Sequence, residues 1–138
     1  MITKELRKHV EQSEGLRLKL YKCTSGRLTI GYGHNIDDNG ITLTIAKDML
    51  EEDLQEAERS LFAAFPAYQM LSQPRIDALI DLTFNIGITK FKRFGYLHKA
   101  LAMQDFETAA AELMDSKYAR QVGNRAKINR DLILTGKR

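Results

Sequence analysis

Apolar residues recur at two different periods along this chain, and the change of period divides it. Ile2, Leu6 and Val10 return every four residues among charged neighbours, which is a helical stripe. Thr3 is placed to cap this helix and Ser13 to end it, so Glu14 stands at its C-terminal end. After Gly26 the period falls to two: Leu28, Ile30 and Tyr32 alternate with Arg27, Thr29 and Gly31, predicting a half-buried strand whose apolar face meets the core. With a hairpin turn centred on Gly26, positions 23 and 29 stand directly opposite, their Cβ atoms roughly 5 Å apart. Cys23 and Thr29 then share the polar face, which Gly31 leaves open. A short backtrack of chain brings the Glu14 carboxylate over the same face. The Asn39-Gly40 pair that follows is a turn signal and closes a sheet of two or three strands.

From there on the period is helical. Thr42 or Thr44 caps a long helix with Ala46, Met49, Leu50, Asp53 or Leu54, Ala57 and Leu61 on one side, running to about Ala64 before Pro66. Ser72 and Pro74 open the next, in which Ile76, Leu79, Ile80, Thr83 and Phe84 form the best core face in the chain and Gly87 is the stop. Shorter helices are predicted over 89–103, over 105–115 with Asp105 as cap, and over 116–121. Asn124 caps a last helix that reaches Leu134. One small sheet followed by helices reads as an α+β fold.

Composition narrows the classes. At 138 residues the chain suits one domain with a sizeable core, and no apolar run approaches the roughly 18 residues that span a bilayer. The N-terminal M-I-T-K-E-L-R-K-H-V-E-Q has no apolar signal-peptide core, so the chain is expected to be made in the cytoplasm without stable membrane association. The single cysteine allows no intrachain disulfide, and no Cys/His cluster has zinc-ligand spacing, so neither metal nor cofactor is expected. The formal charge of +3 hides a split: residues 44–58 hold six acids and one Lys, residues 117–138 seven Lys or Arg and one acid. Such a basic stretch draws a protein toward anionic polymers, or is a solvated helix face. With no reader motif or stacking platform beside it, nucleic acid is not an expected partner.

The chemistry concentrates between Glu14 and His34. Hydrolysing a glycosidic bond by inversion takes an acid for the leaving oxygen and a second group that activates water on the opposite face of the sugar. Glu14 suits the first role. Cys23 suits the second as a thiolate, but an unperturbed thiol with a pKa of about 8.5 is only slightly ionised at neutral pH. Something must lower that pKa, or Cys23 only positions the water, with the Thr29 hydroxyl beside it. A buried small hydrophobe is the ordinary reading of a free cysteine.

Glu14, Cys23 and Thr29, with eight and five residues between them and followed by T-I-G-Y-G-H, resemble the active-site segment of phage-type lysozymes, glycoside hydrolase family 24. Asp is the better-known occupant of the middle position, so Cys23 marks a variant. F-N-I-G at 84–87 and S-K-Y-A-R-Q-V-G-N-R-A at 116–126 resemble further family segments, and the likeness covers nearly the whole chain. The resemblance implies a single lysozyme-like domain over 1–138, with a small antiparallel sheet lobe at about 14–42, a linking helix at about 43–64 and a larger helical lobe at about 65–138 together with the first helix. It implies a muramidase that cleaves the β-1,4 bond between N-acetylmuramic acid and N-acetylglucosamine in bacterial peptidoglycan. Glu14, Cys23 and Thr29 would be catalytic; Asn85 and Tyr118 would line the cleft on the helical side, and Asn35 and Phe84 would touch substrate. His34 would form a structural salt bridge, and Arg125 would lie near Glu14, where its charge favours the ionised carboxylate. The implied setting is a phage or prophage endolysin, a monomer released to the cell wall through a pore-forming holin; a tail-associated lysozyme is equally compatible. Two rivals stand beside it. The missing second carboxylate suits a non-catalytic wall-binding or scaffold protein on the same fold, and Cys23 with His34 would suit a thiol hydrolase.

Overall fold

The computed structural model describes the whole chain, Met1–Arg138, as two compact units, Met1–Asp48 and Met49–Arg138. In the first, α1 (Lys4–Glu14) begins at Thr3, whose hydroxyl accepts the Leu6 amide at 3.1 Å, and ends at Gly15, whose amide reaches the Glu11 carbonyl at 2.9 Å. An antiparallel sheet in the order β1-β2-β3 follows, from β1 (Arg17–Lys22), β2 (Leu28–Gly31) and β3 (His34–Asn35).

The hairpin register differs from the sequence expectation. Thr29 pairs with Tyr21 and Leu28 with Lys22, while the Cys23 amide bonds the Arg27 carbonyl at 3.0 Å. The turn therefore centres on Ser25. Gly26, at φ +81°, is the last residue of a three-residue loop, where the left-handed position falls, rather than its middle. Cys23 and Thr29 keep a common face but stand diagonally, a separation of roughly 7–8 Å between backbones that long side chains can bridge. The face preference is also reversed, since Thr29 is buried at 3% exposure while Tyr32 of the alternating apolar set stands 46% exposed. β2 is the central strand, and Thr29 is paired on both sides, with Tyr21 and with Asn35.

Strand β2 does not run on to His34. Gly31 and Gly33 both take positive φ, near +70°, and turn the chain so that His34 begins β3 opposite Ile30. Where a simple turn was expected at Asn39-Gly40, a one-turn helix α2 (Ile36–Asn39) forms, capped by the Asn35 side chain and ended by Gly40. Asp37 and Asp38 tie it back to the sheet: Asp37 accepts the Leu28 amide at 2.6 Å, and Asp38 pairs with Arg27 at 3.3 Å.

Helix α3 (Leu43–Ala64) starts after Thr42, whose hydroxyl accepts the Ile45 amide. Of its expected apolar side only Ala57 and Leu61 are buried; Met49 and Leu50 are about half exposed. The second unit continues with a 3₁₀ turn (Pro66–Met70), α4 (Gln73–Ile86), α5 (Ile88–Phe91), α6 (Gly95–Ala102), α7 (Phe106–Met114), α8 (Lys117–Val122) and α9 (Asn124–Thr135). Its core closes around Leu61, Leu79, Leu82, Phe91, Leu97, Leu113 and Ile133, all essentially solvent-free. Each contributes about 1.5–3 kcal/mol by burial. Helix α4 supplies Ile76, Leu79, Leu82 and Thr83 to that core, and the buried Thr83 hydroxyl is satisfied by the Leu79 carbonyl at 2.8 Å. Asn124 is the first helical residue of α9 rather than its cap, because Gly123 at φ +60° occupies the cap position.

Candidate active site

The end of α1 and the sheet place the first-unit candidates. Glu14 closes α1, and its carboxylate lies over the turn that joins β2 to β3. A Cβ built on Gly33 would stand 2.5 Å from Glu14 Oε2 and 2.8 Å from its Cδ. Only glycine fits there, both for this contact and for its φ of +71°. Gly31, two residues earlier, has nothing within 4 Å of such a Cβ, so the chain is open beside it.

Cys23 is half-buried, and its Sγ lies 3.0 Å from the Ser25 hydroxyl. The Ser25 side chain, then the backbone amides around Arg27 and Ser25, and last the Thr29 hydroxyl favour the thiolate, and bring the thiol pKa down to about 7. Near neutral pH roughly half of the group is ionised, compared with a few per cent of an ordinary thiol. Thr29 donates its hydroxyl hydrogen to the Arg27 carbonyl at 2.9 Å, so its own part in favouring the thiolate is the smallest. The tight turn at 24–26 is thus what activates Cys23.

The imidazole of His34 bonds the Gly40 carbonyl through Nε2 at 2.6 Å. Its partner is a backbone oxygen where a carboxylate was expected. This follows from the turn at 32–33, which sends the ring toward the end of α2. It also leaves no Cys–His pair, since the thiol bonds Ser25 and the imidazole bonds Gly40. The Asn35 amide is committed to capping α2, accepting from the Asp38 amide at 3.1 Å and donating to the Asp38 carboxylate at 2.8 Å.

In the second unit, Phe84 and Asn85 lie exposed in the last turn of α4, and Phe84 borders a depression with Asp53, Ala57, Ser60 and Ile88. Tyr118 is 4% exposed, part of the core by its ring, and lines the floor of a surface depression of about 360 Å³ with Ile86, Lys90, Arg93, Phe94 and Gln121. Its hydroxyl accepts from Asn129 Nδ2 at 3.1 Å. Arg125 is held by Asp81, through Nε at 3.0 Å and Nη2 at 2.5 Å. Those hydrogen bonds, and the Asp81 charge with them, raise the guanidinium pKa further.

Asp81 and Asn129 did not emerge from the sequence pattern. The available signal was an acid standing between Ile80 and Leu82 in the helix expected to carry the best core face, a position that burial penalises unless the charge is paired. No group of three His, Cys, Asp or Glu residues is placed to hold a metal ion, and no helix is long and apolar enough to cross a membrane.

Residues 11–131 match the family model described as phage lysozyme. The chain is 39% identical over 120 residues to an endolysin of Acyrthosiphon pisum secondary endosymbiont phage 1, a match covering 84% of this chain and 80% of that one. It is 36% identical over 109 residues to an endolysin of Salmonella phage P22, covering 73% of each. It is also similar to the pre-baseplate central spike protein Gp5 of Enterobacteria phage T4, 28% identical over 92% of this chain but only 27% of that longer protein.

Proposed function

The chain belongs to the phage lysozyme family, and from that premise we propose how its residues act. It is a glycoside hydrolase of the endolysin type, a muramidase that acts on the peptidoglycan of the bacterial cell wall. The observation that carries the reading at residue level is the junction of α1 with the sheet, where Glu14 is seated on Gly33 just after β2, and the Cys23 thiol, in the turn that precedes β2, is tuned to about 7.

Glu14 is the general acid. Carrying a proton as substrate binds, it delivers it to the glycosidic oxygen as the bond to C1 of the muramic sugar lengthens. Water attacks that carbon. Cys23, as thiolate, takes the proton from the water, which Thr29 holds through a hydroxyl lone pair. The missing second carboxylate is thereby replaced by a group whose charge the turn at 24–26 maintains. The exposed Phe84 and Asn85 bind the sugar, an aromatic and an amide suited to its ring face and N-acetyl groups, and the edge of the buried Tyr118 bounds the depression beside them. Asn35 supports them by holding α2, while His34 and Arg125 are supporting residues. The protein works as a monomer without cofactor and reaches the wall when a holin opens the membrane.

The test is digestion of purified peptidoglycan by wild type, Glu14→Gln and Cys23→Ser, with fragments reduced by borohydride and identified by mass spectrometry. Reduced muramic-acid ends from wild type, absent with Glu14→Gln, support the reading. Binding of wall by all three with no fragment released would favour a scaffold protein, and peptide fragments with intact glycan would favour an amidase or peptidase.

A further inference from the structure

Asp81, on α4, is the one acid whose side chain ties together two of the second-unit residues named above. Its Oδ2 accepts from Arg125 Nε at 3.0 Å and from Asn129 Nδ2 at 2.7 Å, and its Oδ1 accepts from Arg125 Nη2 at 2.5 Å. Asn129 is buried and spends the second hydrogen of the same amide on the Tyr118 hydroxyl. One carboxylate therefore fixes a guanidinium directly and a phenol through one intermediary. The phenol oxygen accepts inside the core, where Tyr118 and Asn129 are both buried. Because Asp81 takes Nε and Nη2, the free edge of Arg125 is Nη1. From this geometry we infer that Asp81 is a positioning residue for the hydrolytic reaction: it sets the direction of the Arg125 Nη1 edge, the part-exposed end of the network that can meet substrate, and through the buried Asn129 it anchors the Tyr118 ring that lines the neighbouring depression.

The network is poorly explained as a device for stability. Ion pairs that are partly taken out of water are often no better than well-packed apolar residues of the same volume. The position lies between Ile80 and Leu82 on the helix that gives the core five buried residues. The pair is also firmly ionised, since burial pushes the Asp81 carboxyl up but the hydrogen bonds from Arg125 and Asn129 outweigh it and leave it lowered. A fixed, charged, bidentate clamp costs little to reorganise when a polar ligand arrives, which is the condition for positioning.

The inference rests on the muramidase reading, and its test separates the two. Wild type, Asp81→Asn, Arg125→Gln and the double variant are compared for kcat and KM on soluble glycan strands, well below the lowest of their melting temperatures. Asp81→Asn is expected to lose between about tenfold and a hundredfold in kcat/KM, as a misplaced positioning group does, and Asp81→Glu to recover part of it. The double variant should be no slower than Arg125→Gln by more than the share carried by Tyr118, which Asn129→Ala reports. The second readout is independent of turnover: on adding a muropeptide disaccharide, the Arg125 Nε–H resonance shifts in wild type and not in Asp81→Asn. Asp81 variants that melt earlier yet keep wild-type kcat and KM, or an arginine resonance that responds alike in both proteins, would overturn the inference. A wild type that releases no muramic ends overturns the muramidase reading instead, while the resonance still decides the role of Asp81.

Discussion

The carboxylate of Glu14 rests on the backbone of Gly33, so closely that the smallest side chain at 33 would occupy the place of Oε2. A helix end and a turn between two strands thus fix one acid. Gly33→Ala therefore strikes twice. The positive φ costs an L-residue about 1–2 kcal/mol, and the methyl group displaces the carboxylate. Activity should fall at least about tenfold for a displacement of this size, with the melting temperature reduced by only a few degrees. Wall-clearing rates and thermal unfolding, measured on the same preparation, check both halves.

Ser25 sets the charge state of Cys23. Replacing it with Ala removes the largest influence that favours the thiolate, so the thiol should titrate nearer to the ordinary value of about 8.5. Alkylation by iodoacetamide, followed against pH, should show its midpoint near 7 in wild type and at higher pH in Ser25→Ala. The rate of wall hydrolysis should rise with pH through the same midpoint, because the thiolate, not the thiol, accepts the proton from water.

His98 is a neutral member of the core. Its Nε2–H donates to the Phe91 carbonyl at 2.6 Å, its Nδ1 accepts from the Tyr68 hydroxyl at 2.7 Å, and Phe65 stacks on the ring at 4.1 Å. Burial lowers its pKa against the opposing effect of the Phe91 carbonyl. A histidine whose folded pKa lies below the unfolded value of about 6.5 binds protons more readily once unfolded. Its stabilisation is then complete above about pH 6.5 and is lost as the pH falls toward the folded value. Melting temperatures between neutral pH and pH 5 should decline in wild type and decline less in His98→Gln.

Arg125→Ala leaves the Asp81 carboxylate with Asn129 as its remaining partner. Losing hydrogen bonds to a partly buried charge should cost about 2 kcal/mol, read as a lower denaturant midpoint at unchanged slope. Asp81→Asn removes the charge together with its desolvation cost, and should be the milder of the two.

Much of this was legible in the sequence because periodicity and capping are local. Thr3, Thr42 and Asp105 begin their helices as their hydroxyls and carboxylate foretell, and Gly87 ends α4. The apolar face of α4 holds Ile76, Leu79 and Thr83 as its spacing placed them, but it is rotated toward Ala78 and Leu82, which leaves Ile80 partly buried and Phe84 exposed. The hairpin was harder, since a single glycine can sit in the middle or at the end of a turn, and the difference shifts the register by two residues. Cys23 and Thr29 survive that shift on one face only because two is also the period of a strand. The Gly33 contact, the Ser25 bond and the Asp81 network depend on side chains meeting across the fold. Spacing along the chain carries no trace of them, apart from an acid left in an apolar helix.

The most direct measurement is hydrolysis of purified peptidoglycan in water enriched in oxygen-18, with the released fragments weighed. The account predicts one heavy oxygen at C1 of each new muramic-acid end from wild type, and no such end from Glu14→Gln. Heavy oxygen found in peptide carboxylates, with the glycan intact, or label at muramic ends undiminished by Glu14→Gln, would contradict it.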